Sequence, residues 1–118
     1  MDKNIETVLE ELKRFQGTIS KAIDDHKEYI KWCEENLDVV TNPNDLSYLA
    51  ICKKILELLE LEKSLTSRMI QLDWESDLAT QQFFMLKESL INTINAKDMY
   101  ERMGNDIGIK EDIERERV

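Results

Sequence analysis

The chain of 118 residues has only three glycines, one proline, one histidine and two cysteines. So few glycines and prolines exclude the frequent turns of a β-rich or loop-rich fold. A lone histidine, His26, excludes a di-metal bundle built on two Glu-x-x-His motifs. Cys33 and Cys52 stand far apart in sequence, without the close Cys-x-x-Cys or His pairs of a zinc site. No apolar run approaches the roughly 18–20 residues of a membrane-spanning helix. The first twelve residues carry Asp2, Glu6, Glu10 and Glu11, the wrong chemistry for a secretory leader. There is no glycine-rich phosphate loop and no interleaving of basic with aromatic residues, so NTP and single-strand binding have no support.

What is abundant is charge and regularly spaced apolar residues. Acids number 25 and bases 16, a net charge of −9. The excess is spread along the chain: ten acids and six bases in residues 1–42, ten and seven in 43–103, five and three in 104–118. A diffuse negative surface repels nucleic acid and anionic membrane, and fits basic protein partners or plain solubility. The length is that of one domain. Two cysteines without a leader point to a reducing, cytoplasmic setting and free thiols.

Ile5, Val8, Leu12, Phe15, Ile19, Ala22, His26, Tyr29, Cys33, Leu37 and Val40 follow one another at steps of three or four. That spacing predicts one helix from about Asp2 to Thr41. Asn42-Pro43-Asn44-Asp45 then reads as an N-cap, a proline at the first helical position and an acid in the first turn. Beyond it, Ile51, Ile55, Leu58, Leu65, Met69, Leu72, Phe83, Leu86 and Leu90 form one stripe, and Cys52, Leu56, Leu59, Ile70 and Trp74 a second beside it. A helix with two apolar stripes has more than one neighbour. Residues 71–77 leave two architectures open. Asp73 or Ser76 would cap a third helix, whereas the unbroken three-four phase favours one helix of about 60 residues, about 90 Å long. An unbroken helix would leave Phe83, Phe84, Leu86, Leu90 and Ile91 uncovered. Gly104 is the expected helix stop, followed by a charged segment containing Ile109 and Ile113.

His26, beside Asp24, Asp25 and Glu28, has the makings of a carboxylate-assisted base; a histidine hydrogen-bonded within a packed seam is the stronger reading. Cys33 lies nine residues before Asn42 and Cys52 ten after it, so an antiparallel hairpin sets them at one height as small buried apolar groups. Acid pairs three apart, Glu35 with Asp38, Glu57 with Glu60 and Asp98 with Glu101, invite a magnesium reading. Helical nucleotide pyrophosphohydrolases use Glu-x-x-Glu followed by Glu-x-x-Asp. Here the order is reversed and the accompanying glutamates are missing. The aromatics Trp32, Tyr48, Trp74, Phe83 and Phe84, with Leu86, are the candidate partner-binding residues.

The expectation is an all-α chain, an antiparallel helical hairpin or three-helix bundle with coiled-coil-like packing over residues 1–103 and a short charged segment over 104–118. Its expected function is non-catalytic: binding a partner protein or itself as a homodimer, without cofactor, metal, nucleic acid or membrane. The shape is shared by bacteriocin immunity proteins and by phage scaffolding and inhibitor proteins, an analogy of architecture alone. Richness in Lys, Glu, Asn and Ile fits an AT-rich genome, such as that of a low-GC bacterium or its phage. The alternative is the magnesium-dependent pyrophosphohydrolase.

Overall fold

The computed structural model describes the backbone of residues 3–116 and the side chains of residues 3–108. Three helices account for the fold: α1 (Lys3–Asn36), α2 (Pro43–Ile70) and α3 (Ala79–Glu116). The chain is all-α, and helix packs on helix. None of these helices is long and apolar enough to cross a membrane.

The first turn forms where the sequence signals it. The Asn42 side chain accepts the backbone N–H groups of Asn44 (3.0 Å) and Asp45 (3.4 Å), with Pro43 opening α2. α1, however, stops at Asn36 rather than near Thr41. Two carboxylates supply competing partners there. Asp45 accepts the N–H of Asp38 at 2.9 Å, and Asp38 accepts both the N–H (3.0 Å) and the hydroxyl of Thr41. Side-chain acceptors of this kind offer the backbone an alternative to the helix. The stripe fails at its end for the same reason: Leu37 and Val39 pack against the core, while Val40 is 90% exposed.

The second turn decides between the two architectures. α2 ends at Ile70, and residues 71–78 are a turn. Asp73 and Ser76 do not cap α3 directly. Asp73 accepts the N–H of Glu75 (3.3 Å), and the Ser76 hydroxyl accepts the N–H of Leu78 (3.2 Å). The first bond of α3 runs from the N–H of Gln82 to the carbonyl of Leu78. The chain is therefore three helices, and the phase through Ser76 is not a continuous helix.

α3 runs straight through the expected stop. Gly104 is buried, and no glycine among the described residues has a positive φ. A Cβ built on Gly104 would lie 3.5 Å from Cε2 of Tyr48 and 3.6 Å from Cγ2 of Ile51. The glycine thus lies in mid-helix facing α2, where a Cβ would make ordinary van der Waals contact, and is not a C-cap. Helical backbone continues to Glu116; the side chains of Ile109 and Ile113 lie outside the described residues.

α2 is the middle of the molecule. Its buried residues include Leu49, Ile51, Cys52, Ile55, Leu59, Leu65 and Met69, the two stripes expected of a helix with two neighbours. α1 packs on one side and α3 on the other, and among the described residues no Cα of α1 comes within 8 Å of α3. Side chains of all three still meet over α2: Ile19 and Ile23 join Ile51, Ile55 and Leu59, flanked by Tyr100 and Ile107, while Leu65, Met69 and Leu90 are flanked by Leu12 and Phe15. The result is a rod of 64 × 21 × 20 Å. Its radius of gyration is 18.6 Å, against about 13 Å for a compact domain of this length.

Glu62 occupies a gap in the apolar stripe of α2. It is 1% exposed, and the ammonium of Lys97 donates to both its oxygens at 3.0 Å. A buried carboxylate is tolerated only with such a partner. This pair ties α2 to α3.

Candidate interaction surface

One polar cluster and one apolar face stand out along the rod. The cluster lies between α1 and α2, near their turn. Cys33 and Cys52 are buried in one cluster with Ile30 and Leu49, as their nearly equal distance from Asn42 suggests. The two thiols and the hydroxyls of Tyr29 and Tyr48 sit close enough to influence one another's ionisation. The two tyrosine oxygens are themselves 2.6 Å apart. Burial, above all, pushes Cys52 up to about 11 from the usual 9.0, with Cys33 adding to the rise. Burial likewise raises Cys33, Tyr29 and Tyr48. These thiols stay protonated at neutral pH and so are poor nucleophiles.

His26 completes this end. Its Nε2 donates to the carbonyl of Cys52 at 2.7 Å, which makes it a helix-to-helix tie. A small cleft of about 180 Å³ opens between His26, Tyr29, Tyr48 and, on α3, Glu101, Gly104 and Asn105. The acid pairs are scattered over the outside. Glu35, Asp38, Glu57, Glu60, Asp98 and Glu101 are all exposed. Glu57 pairs with Lys54 at 3.2 Å and Asp98 with Arg102 at 3.7 Å. Among the described residues, no three His, Cys, Asp or Glu side chains converge as a metal-ion site.

The six candidate partner residues divide between the two ends. Trp32 is 52% exposed and stacks on Tyr29 with ring centres 6.1 Å apart. Tyr48 is half-buried beneath it, edge-on to Tyr29 at 6.4 Å. At the α2–α3 turn, Trp74 packs on Phe83 (5.4 Å between centres), and Phe83 on Phe84 (5.9 Å). Phe83 and Leu86 are half-buried against Leu65, Met69 and Leu90, so within this chain they already have a cover. The Trp74 indole N–H is buried without a hydrogen-bond partner. Phe84, by contrast, is 59% exposed.

Phe84 belongs to a larger face. At about 100° per residue, Phe84, Ile91 and Met99 lie on the side of α3 opposite Leu86, Leu90 and Thr93, which pack inward. Met85 and Met103 widen the outer stripe. All five are large apolar residues left exposed, Met85 the most at 63%. Next to Met85, a groove of about 490 Å³ runs between α2 and α3, lined by Leu65, Arg68, Leu72 and Leu86 among others. Sequence spacing singles out Phe84 and Ile91 but passes over the three methionines. Their signal is the spacing of seven and eight from Phe84 to Ile91 to Met99. It is masked because a helix apolar on two sides shows no single periodic stripe. No family model matches the chain, and neither does any curated protein or solved structure.

Proposed function

We propose that this chain is a non-catalytic helical interaction module, which acts by occupying a partner protein or another copy of itself. The observation that carries this reading is the outer face of α3. Phe84, Met85, Ile91, Met99 and Met103 face outward on a helix whose other side is already packed. Large apolar residues left exposed on one helix face mark interaction sites, and methionine adapts to varied partner shapes. The polar groups support the same reading by what they are committed to. His26 is spent on a backbone carbonyl, both thiols are buried and protonated, and the outer carboxylates are dispersed. The reduced thiols fit a cytoplasmic setting.

The test is affinity capture from the native host with two baits, the wild type and F84D/I91D, read by mass spectrometry. Both substitutions sit on exposed positions, so circular dichroism and melting temperature should stay close to wild type. Proteins enriched by the wild type and lost on the variant, the chain itself included, are the expected result. Identical captured sets from two well-folded baits would overturn the reading.

A further inference from the structure

If the outer face of α3 is an interaction surface, as proposed above, something must cover it, and electrostatics narrows the choice. The chain as a whole carries nine more acids than bases, yet residues 79–108 hold four acids and three bases. Two copies of an acidic chain repel one another over most of their surface. Along this stretch, as along residues 43–70 with four acids and four bases, the repulsion is small. Here, too, the exposed apolar side chains are concentrated.

The outward line of α3 reads Phe84, Glu88, Ile91, Asn95, Met99 and Arg102, and all six residues are exposed. The steps are three and four, the spacing of a two-helix seam. Orientation follows from the charges. A parallel two-fold pairing would set Glu88 on the partner's Glu88 and Arg102 on the partner's Arg102, like on like. An antiparallel two-fold centred on Asn95 sets Glu88 across from the partner's Arg102 and Ile91 across from the partner's Met99. Asn95 then meets the partner's Asn95 on the axis, and Phe84 falls across from the partner's Asp106, one turn from the partner's Met103. A polar residue at a seam centre is a known way to fix register. The self-complementary pattern is what an isologous two-fold interface requires.

We propose that a second copy of this chain docks on the outer face of α3, antiparallel, with the two-fold axis at Asn95. α1 and α2 then lie on the outside of the assembly, away from the seam.

Single-cysteine substitutions test the register directly. Each variant is oxidised with diamide, which takes two electrons and two protons from a pair of thiols as the disulfide forms. Wild type, whose own thiols are buried, gives the background. N95C should cross-link to a covalent dimer. I91C alone and M99C alone should not, but an equal mixture of I91C and M99C should. Efficient cross-linking of I91C to itself would overturn the antiparallel register in favour of a parallel pair. In sedimentation, E88R should raise the dimer dissociation constant several-fold, and E88R/R102E should restore it; failure of the double variant to recover would also overturn the register. A wild type that sediments as a monomer at tens of micromolar, with no cross-link in folded N95C, would overturn self-docking altogether. That outcome is distinct from failure of the interaction reading, which the two-bait capture decides.

Discussion

α2 meets its two neighbours by different chemistry. Toward α1, its polar ties are hydrogen bonds with no ion pair among the described residues: the His26 imidazole on the Cys52 carbonyl, the Gln16 amide on the Ser67 hydroxyl, and the tyrosine pair over the thiols. Toward α3, the tie is a full charge pair, Glu62 with Lys97, set among Leu65, Met69 and Leu90. A neutral hydrogen bond contributes roughly 1 kcal/mol, and its loss is partly repaired by water or by a second acceptor. A buried charge that loses its partner has no such repair. The two interfaces therefore tolerate single changes unequally, although both are well packed.

Breaking the charge pair gives the largest effect. Lys97→Ala should cost about 3–5 kcal/mol in urea unfolding, because Glu62 is left buried and unpaired. K97A/E62L should recover most of it. A cost under about 1 kcal/mol for the single change would remove the contrast between the interfaces. On the other side, Asn42→Ala takes away the acceptor of two N–H groups at the start of α2. The expected cost is about 1 kcal/mol, read as a lower melting temperature with unchanged helix content.

The thiol cluster sharpens the comparison by its pH response. Cys52 ionises near 9.0 in the unfolded chain and at about 11 in the folded one. A raised value means the stability is whole below pH 9 and declines as pH rises through 11, since the unfolded state gives up its proton first. Cys33 shifts in the same direction. Chemical denaturation between pH 8 and 10 should show that decline, and C33A/C52A should reduce it, leaving the part above pH 10 that the raised Tyr29 and Tyr48 contribute. The smallest effect is a gain. Gly17 is an exposed glycine inside α1, and a Cβ added there would meet nothing within 4 Å. Gly17→Ala should therefore stabilise by about 0.5–1 kcal/mol in the same assay.

Much of this is legible in the sequence where one local motif decides one local structure. Asn42-Pro43 is such a motif, and the shared height of Cys33 and Cys52 follows from it. The two stripes of α2 foretell two neighbours. The break at residues 71–78 is not legible, because Asp73 and Ser76 make consecutive side-chain turns that leave the apolar phase intact. That ambiguity carries into the candidate site. Phe83 and Leu86 read as uncovered on either architecture, the more so if α2 and α3 are one helix; the turn between them folds both back on Leu65 and Met69. Gly104 misleads for another reason. Glycine at a helix end and glycine on a packed helix face look alike in one dimension, and only the neighbours Tyr48 and Ile51 separate them.

Among the described residues, the backbone of α1 nowhere approaches that of α3, and this wiring has a kinetic consequence. Every close backbone approach between helices there joins two that are consecutive in the chain, across a turn of a few residues. Loops that short close at little entropic cost, so each hairpin is a self-sufficient nucleus and the chain folds fast for its length. Unfolding runs the same way in reverse. Either outer helix can leave the middle one with the opposite backbone pairing in place, at the cost of the side-chain contacts that all three share over α2. In native-state hydrogen exchange, amides of α1 and α3 should open at lower free energies than those of α2, the last element to lose protection.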